Sequence, residues 1–99
     1  MKSGDTVQIA QRDGKVHFIY ATVLTPTDAG AAVIVDHPGN RENGVQKFVP
    51  TAEIRTKADL QKEFDQYKAD LAAGKLGTKD AKRLRDEREH YQAQLDRLS

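Results

Sequence analysis

Val16-His17-Phe18-Ile19-Tyr20-Ala21-Thr22-Val23-Leu24 is the longest β-type run in the chain. β-Branched and aromatic side chains dominate it, Asp13-Gly14 stands before it as a turn signal, and Thr25-Pro26 closes it. It presents two apolar faces: Val16, Phe18 and Tyr20 on one, Ile19, Ala21 and Val23 on the other. In a small curled sheet such a strand is expected to bend, so that its two ends bury different faces.

The segments on either side look built to pair with this strand. Thr6-Val7-Gln8-Ile9-Ala10 alternates as a half-buried strand should, and Gln11-Arg12-Asp13-Gly14 forms a compact turn after it. Pro26 to Gly30 is a turn by composition, and Ala31 to Asp36 predicts a third strand. His37 to Gly44 has no periodicity and predicts a surface loop. Val45 to Val49 predicts a fourth strand, Pro50 to Glu53 a single helical turn, and Ile54 to Thr56 a short fifth strand.

From Lys57 the period changes. Thr56 suits a helix N-cap, and Leu60, Phe64, Tyr67 and Leu71 fall on one helical stripe. Gly74 and Gly77 end that helix, with Thr78 expected to cap the next. The second helix carries a seam of Ala81, Leu84, Arg88, Tyr91, Leu95 and Leu98. Together these segments predict an α+β protein: a small five-stranded β-barrel over residues 1–56, then an antiparallel α-helical hairpin over 57–99 with helices at 57–73 and 79–98.

Five short strands with a helical turn before the last is the plan of an SH3-like barrel. Gly4-Asp5-Thr6-Val7-Gln8-Ile9, Ala21-Thr22-Val23-Leu24 and Val49-Pro50 with Ile54 resemble the corresponding parts of SH3-like domains of the KOW and Tudor kind. The resemblance covers residues 4–56 and implies a binding module. Its KOW branch implies nucleic acid, which Arg12, Lys15, Arg41 and Lys47 would have to contact from one face. Tudor-type methyl-lysine recognition needs an aromatic cage; only Phe18, Tyr20 and Phe48 are on hand, and some of these are expected in the core.

Composition narrows the functions further. The chain has 99 residues, 31% of them charged, with a net charge of +1. Folding at this size hides roughly two-thirds of the unfolded surface, enough for one modest core. Residues 1–56 are charge-neutral and residues 57–99 carry a single net positive charge, which disfavours nucleic acid. Cysteine is absent, so disulfides and thiol chemistry are excluded. The opening Met1-Lys2-Ser3-Gly4-Asp5-Thr6 has no hydrophobic signal core, and no apolar run suits a membrane helix; a soluble, cytoplasmic protein is the expectation.

Catalytic signals are thin. Asp36-His37 with Glu42 nearby could orient a general base, but no cysteine exists and no serine lies between Ser3 and Ser99 to serve as nucleophile. His17, His37 and His90 have no ligand spacing, so no metal site and no cofactor is expected. His17 reads as an exposed strand residue and His90 as a surface neighbour of Asp86.

The expected function is therefore non-enzymatic: a protein-binding adaptor. Candidate partner contacts are His37, Asn40, Arg41 and Asn43 on the long loop, and Tyr91, Leu95 and Leu98 as exposed seam residues. Two alternatives stand beside it, a nucleic-acid-binding KOW- or Tudor-like barrel and a small structural component of a larger assembly, of the kind phages encode. A two-helix hairpin alone buries little, so it should lean on the barrel, on a partner, or on a second copy in a homodimer. Arg88, the one charge on the seam, is expected to cover Tyr67 with its stem and reach Glu63 or Glu87.

Overall fold

The computed structural model describes residues 1–99. Five strands, β1 (Thr6–Arg12), β2 (Val16–Pro26), β3 (Gly30–Val35), β4 (Gln46–Pro50) and β5 (Ile54–Arg55), form one antiparallel sheet in the order β4-β3-β2-β1-β5. A 3₁₀ turn, Thr51–Glu53, precedes β5. Two helices follow, α1 (Lys57–Ala72) and α2 (Ala81–Arg97). The chain divides into two compact units, residues 1–56 with Leu98 and Ser99, and residues 57–97.

In the first unit the sheet is a curled half-barrel whose edge strands are β4 and β5. One face carries the core: Val7 and Ile9 from β1, Ile19, Ala21 and Val23 from β2, Ala31, Val33 and Val35 from β3, and Val49 from β4, with Ile54 packed against them. These residues share one face because side chains alternate along each strand, and the register Ile9↔Ile19, Val7↔Ala21, Val23↔Val33 aligns them across it.

That core contains no aromatic ring, which corrects the expectation of buried aromatics. Val16 and Phe18 remain 55% and 37% exposed, and Phe48 is 55% exposed. The strand does bend, but later than the apolar pattern implied: pairing jumps from Val23↔Val33 to Thr25↔Ala32, leaving Leu24 as the extra residue of a bulge. Only one face of β2 is buried, because β-branched residues already fill the small space inside the curl.

The β2–β3 connection is a tight turn in which the Thr27 hydroxyl accepts the Gly30 amide at 3.1 Å. Gly30 pairs with Pro50, and a Cβ there would lie 2.1 Å from the Val49 carbonyl oxygen. At the start of β1, the Ser99 amide donates to the Thr6 carbonyl and the Thr6 amide to the Ser99 hydroxyl. The last residue thus pairs with β1 near the start of that strand.

In the second unit, α1 ends in a Schellman arrangement: the Lys75 amide donates to the Asp70 carbonyl and the Gly74 amide to the Leu71 carbonyl, with Gly74 at φ 72°. Helix α2 starts two residues later than expected. Its cap is Asp80 instead of Thr78, whose place is taken by a carboxylate that accepts the Arg83 amide at 2.8 Å. Phe64 stacks on Tyr91 with centroids 4.9 Å apart, and the Tyr91 hydroxyl donates to Glu63 while the Tyr67 hydroxyl donates to Glu87, so the helices run antiparallel.

Candidate binding surface

The core face of the sheet does not stay apolar to its end. Continuing the alternation Val7, Ile9 along β1 brings Gln11 inward, only 4% exposed, with His17 directly across from it on β2. A buried amide has two donors and an acceptor oxygen to satisfy. Here the Gln11 Nε2 donates to Asn40 Oδ1 at 3.0 Å and to Glu42 Oε2 at 2.6 Å. Its Oε1 accepts from Asn40 Nδ2 at 2.9 Å and from His17 Nε2 at 2.7 Å. All of its hydrogen-bonding capacity is therefore used within the fold.

Glu42 is held on its other oxygen by Lys47 Nζ at 3.1 Å. The Gln11 hydrogen bond first, then the Lys47 bond, hold its carboxyl below the ordinary carboxylate value. This network explains the long β3–β4 connection: the loop reaches across the end of the core face and closes it with polar side chains. Within the loop, Asn43 Oδ1 accepts the His37 amide at 2.9 Å, and the Gly44 amide donates to Val35.

The expected recognition residues are thus used differently from their sequence reading. Asn40 bonds Gln11, Asn43 folds the loop, and Arg41, though exposed, pairs with Asp13 at 2.7 Å. His37 receives the Tyr20 amide on Nδ1 at 3.2 Å and stacks on the Tyr20 ring. His17 is half-buried and bonded, not an exposed strand residue. The Asp36, His37 and Glu42 cluster is not assembled, because Glu42 joins core-face residues while His37 packs on Tyr20 of the opposite face. No group of three or more His, Asp or Glu is placed to hold a metal ion.

Arg12, Lys15, Arg41 and Lys47 lie at the β1–β2 turn, in the β3–β4 loop and on β4. Three of the four are matched by carboxylates: Arg12 with Glu53, Arg41 with Asp13 and Lys47 with Glu42. These pairs set a carboxylate beside three of these four cations, in a unit that is charge-neutral by composition.

The seam residues are also rearranged. Leu95 and Leu98 are 3% and 4% exposed, so neither is the exposed contact that the seam pattern suggested. Leu98 groups with the first unit and Leu95 with the second. Tyr91 is half-buried in a three-ring cluster with Phe64 and Tyr67. Arg88 is exposed, and its charge acts on the Tyr67 phenol. Lys79 also reaches this ring: its Nζ sits 5.3 Å from the Tyr67 ring centroid while bonding Glu87 at 2.9 Å. The Tyr67 hydroxyl donates to Glu87 as well, which holds the Glu87 carboxyl low and pushes the Tyr67 phenol up.

Subtracting these groups leaves the outer face of the sheet away from Gln8, which lies on that face of β1 but is only 2% exposed. All three aromatics of the first unit lie on it: Phe18 and Tyr20 on β2 and Phe48 on β4. Arg55 lies 4.1 Å over the Phe18 ring and donates to Gln8 Oε1 at 2.7 Å. A shallow groove of about 350 Å³ is lined by Thr22, Ile34, Val35, Asp36, Asn43 and Gly44. Sequence reasoning missed both this segregation and Gln11, although strict alternation from Ile19 and from Ile9 places each on its face. No helix is long and apolar enough to cross a membrane. Comparison with protein-family models, with curated proteins and with solved structures finds no match for this chain.

Proposed function

We propose that this chain is a non-enzymatic protein-binding adaptor whose contact surface is the outer face of the sheet. The observation that carries this reading is the placement of Phe18, Tyr20 and Phe48, all outside a core made without them. Aromatic side chains are the usual anchors of protein interfaces, and a small unit that can bury rings but keeps them on its surface is suited to offering them to a partner. The sheet order and the 3₁₀ turn before β5 support reading the unit as an SH3-like barrel of the KOW or Tudor kind. Its nucleic-acid branch is disfavoured by the ion pairs that neutralise Arg12, Arg41 and Lys47.

The test is affinity capture from lysate with the tagged full chain, with and without nuclease, beside a Phe18→Ser/Phe48→Ser double variant. The adaptor reading expects a protein retained in both nuclease arms and lost with the variant, with binding that changes little between low and moderate salt. Capture that disappears with nuclease or falls steeply with salt would move nucleic acid to first place.

A further inference from the structure

We propose that the free edge of β4 receives an extended segment of the partner protein as an added strand, with Phe48 as its side-chain anchor; this deepens the protein-binding reading and rests on it. Strand β4 ends the sheet order, so only its β3 side is paired. The hydrogen bonds beyond its two ends set the phase. The Val35 amide donates to the Val45 carbonyl and the Thr51 amide to the Ala29 carbonyl. Antiparallel pairing then turns the main-chain groups of Val45, Lys47 and Val49 toward β3. Gln46 and Phe48 must turn theirs outward.

That edge offers two N–H and two C=O groups in the alternation of a strand, and another extended backbone matches it. Phe48, 55% exposed, stands beside this edge on the outer face. A residue added across from it would meet the ring, so the segment is expected to carry an apolar side chain there. Pro50 has no N–H and limits the edge at that end, so the added strand is short.

A second copy is a poorer occupant. The two-fold antiparallel pairing that engages Gln46 and Phe48 on both copies centres on Lys47, setting the two lysines at the closest cross-strand separation. Like charges directly opposite destabilise a ladder, and each lysine is already committed to Glu42. The edge therefore favours a segment from a different chain, without a cation opposite Lys47.

A random-peptide display library panned on the full chain supplies the probe, and the selected peptide is synthesised and measured by calorimetry and amide hydrogen exchange. The proposal expects slowed exchange at Gln46 and Phe48 on peptide binding. It also expects at least a tenfold loss of affinity in Gln46→Pro, which removes an N–H the fold does not use, with an unchanged thermal midpoint. Phe48→Ser, which keeps the backbone, should weaken binding as well. Peptides that leave both amides unprotected, equal affinity in a folded Gln46→Pro variant, a library that yields no binder, or a dimer abolished by Gln46→Pro would each overturn it. A lysate partner lost with the double serine variant but retained by Gln46→Pro would refute the strand addition while leaving the adaptor reading standing.

Discussion

Gln11 shows how one side chain can decide what a loop is for. Its amide is buried and bonded to Asn40, Glu42 and His17, so removing it strands three polar partners at the end of the core face. A buried group left without its hydrogen bond costs roughly 1–3 kcal/mol. Gln11→Leu should therefore destabilise the protein by about that much, and hydrogen exchange should show the 37–44 loop opening before the strands do. Gly30 fails for a different reason. An added Cβ at Gly30 meets the Val49 carbonyl oxygen, which the β3–β4 ladder holds in place, so Gly30→Ala should cost about 1–3 kcal/mol, read from denaturant midpoints. The first of these residues was legible in principle, since it continues the alternation of Val7 and Ile9. What obscured it was polarity: glutamine beside Asp13-Gly14 reads as the start of a turn, and only the partners that arrive from residues 40 and 42 make its burial tolerable.

The elements themselves were legible nearly end to end, because period-two and period-3.6 patterns are local. Five strands, the helical turn before the last and two helices appear in the expected order. What local pattern does not carry is which of two apolar faces a strand buries. On β2 the choice of Ile19, Ala21 and Val23 over Val16, Phe18 and Tyr20 is made by the volume inside the curl, a property of all five strands together. Helix caps show the same limit at closer range. Thr78 and Asp80 both satisfy the sequence rule for an N-cap, and the helix takes the one whose carboxylate reaches the Arg83 amide. Asp80→Ala should lower stability by about 1 kcal/mol. Thr78→Ala should stay within about 0.5 kcal/mol, which makes the pair of denaturation curves a direct test of which residue caps α2.

Across the whole chain, opposite charges are spent on each other, and acid and alkali should reveal where. Glu42 in the first unit and Glu87 in the second both have carboxyls held below their ordinary value of 4.5 by hydrogen bonds. A lowered folded pKa means stability that is complete above the unfolded value and lost as pH falls through the folded one. Both units should therefore weaken below about pH 4.5, the first through loosening of the Gln11 network and the second through loss of the Tyr67 and Lys79 bonds. An alkaline limb is expected in the second unit. The Tyr67 phenol is raised above 10.0 by its bond to Glu87, so its contribution is complete below that value and disappears as pH rises through the folded one. Residue-resolved hydrogen exchange against pH should then show the hairpin losing protection at both extremes through this bond, whereas the sheet responds through Glu42 at acid pH. Tyr67→Phe removes the phenol and should flatten the alkaline limb of the hairpin without altering the acid response of the sheet. An alkaline loss that persists in Tyr67→Phe would place its origin elsewhere than the Tyr67 phenol.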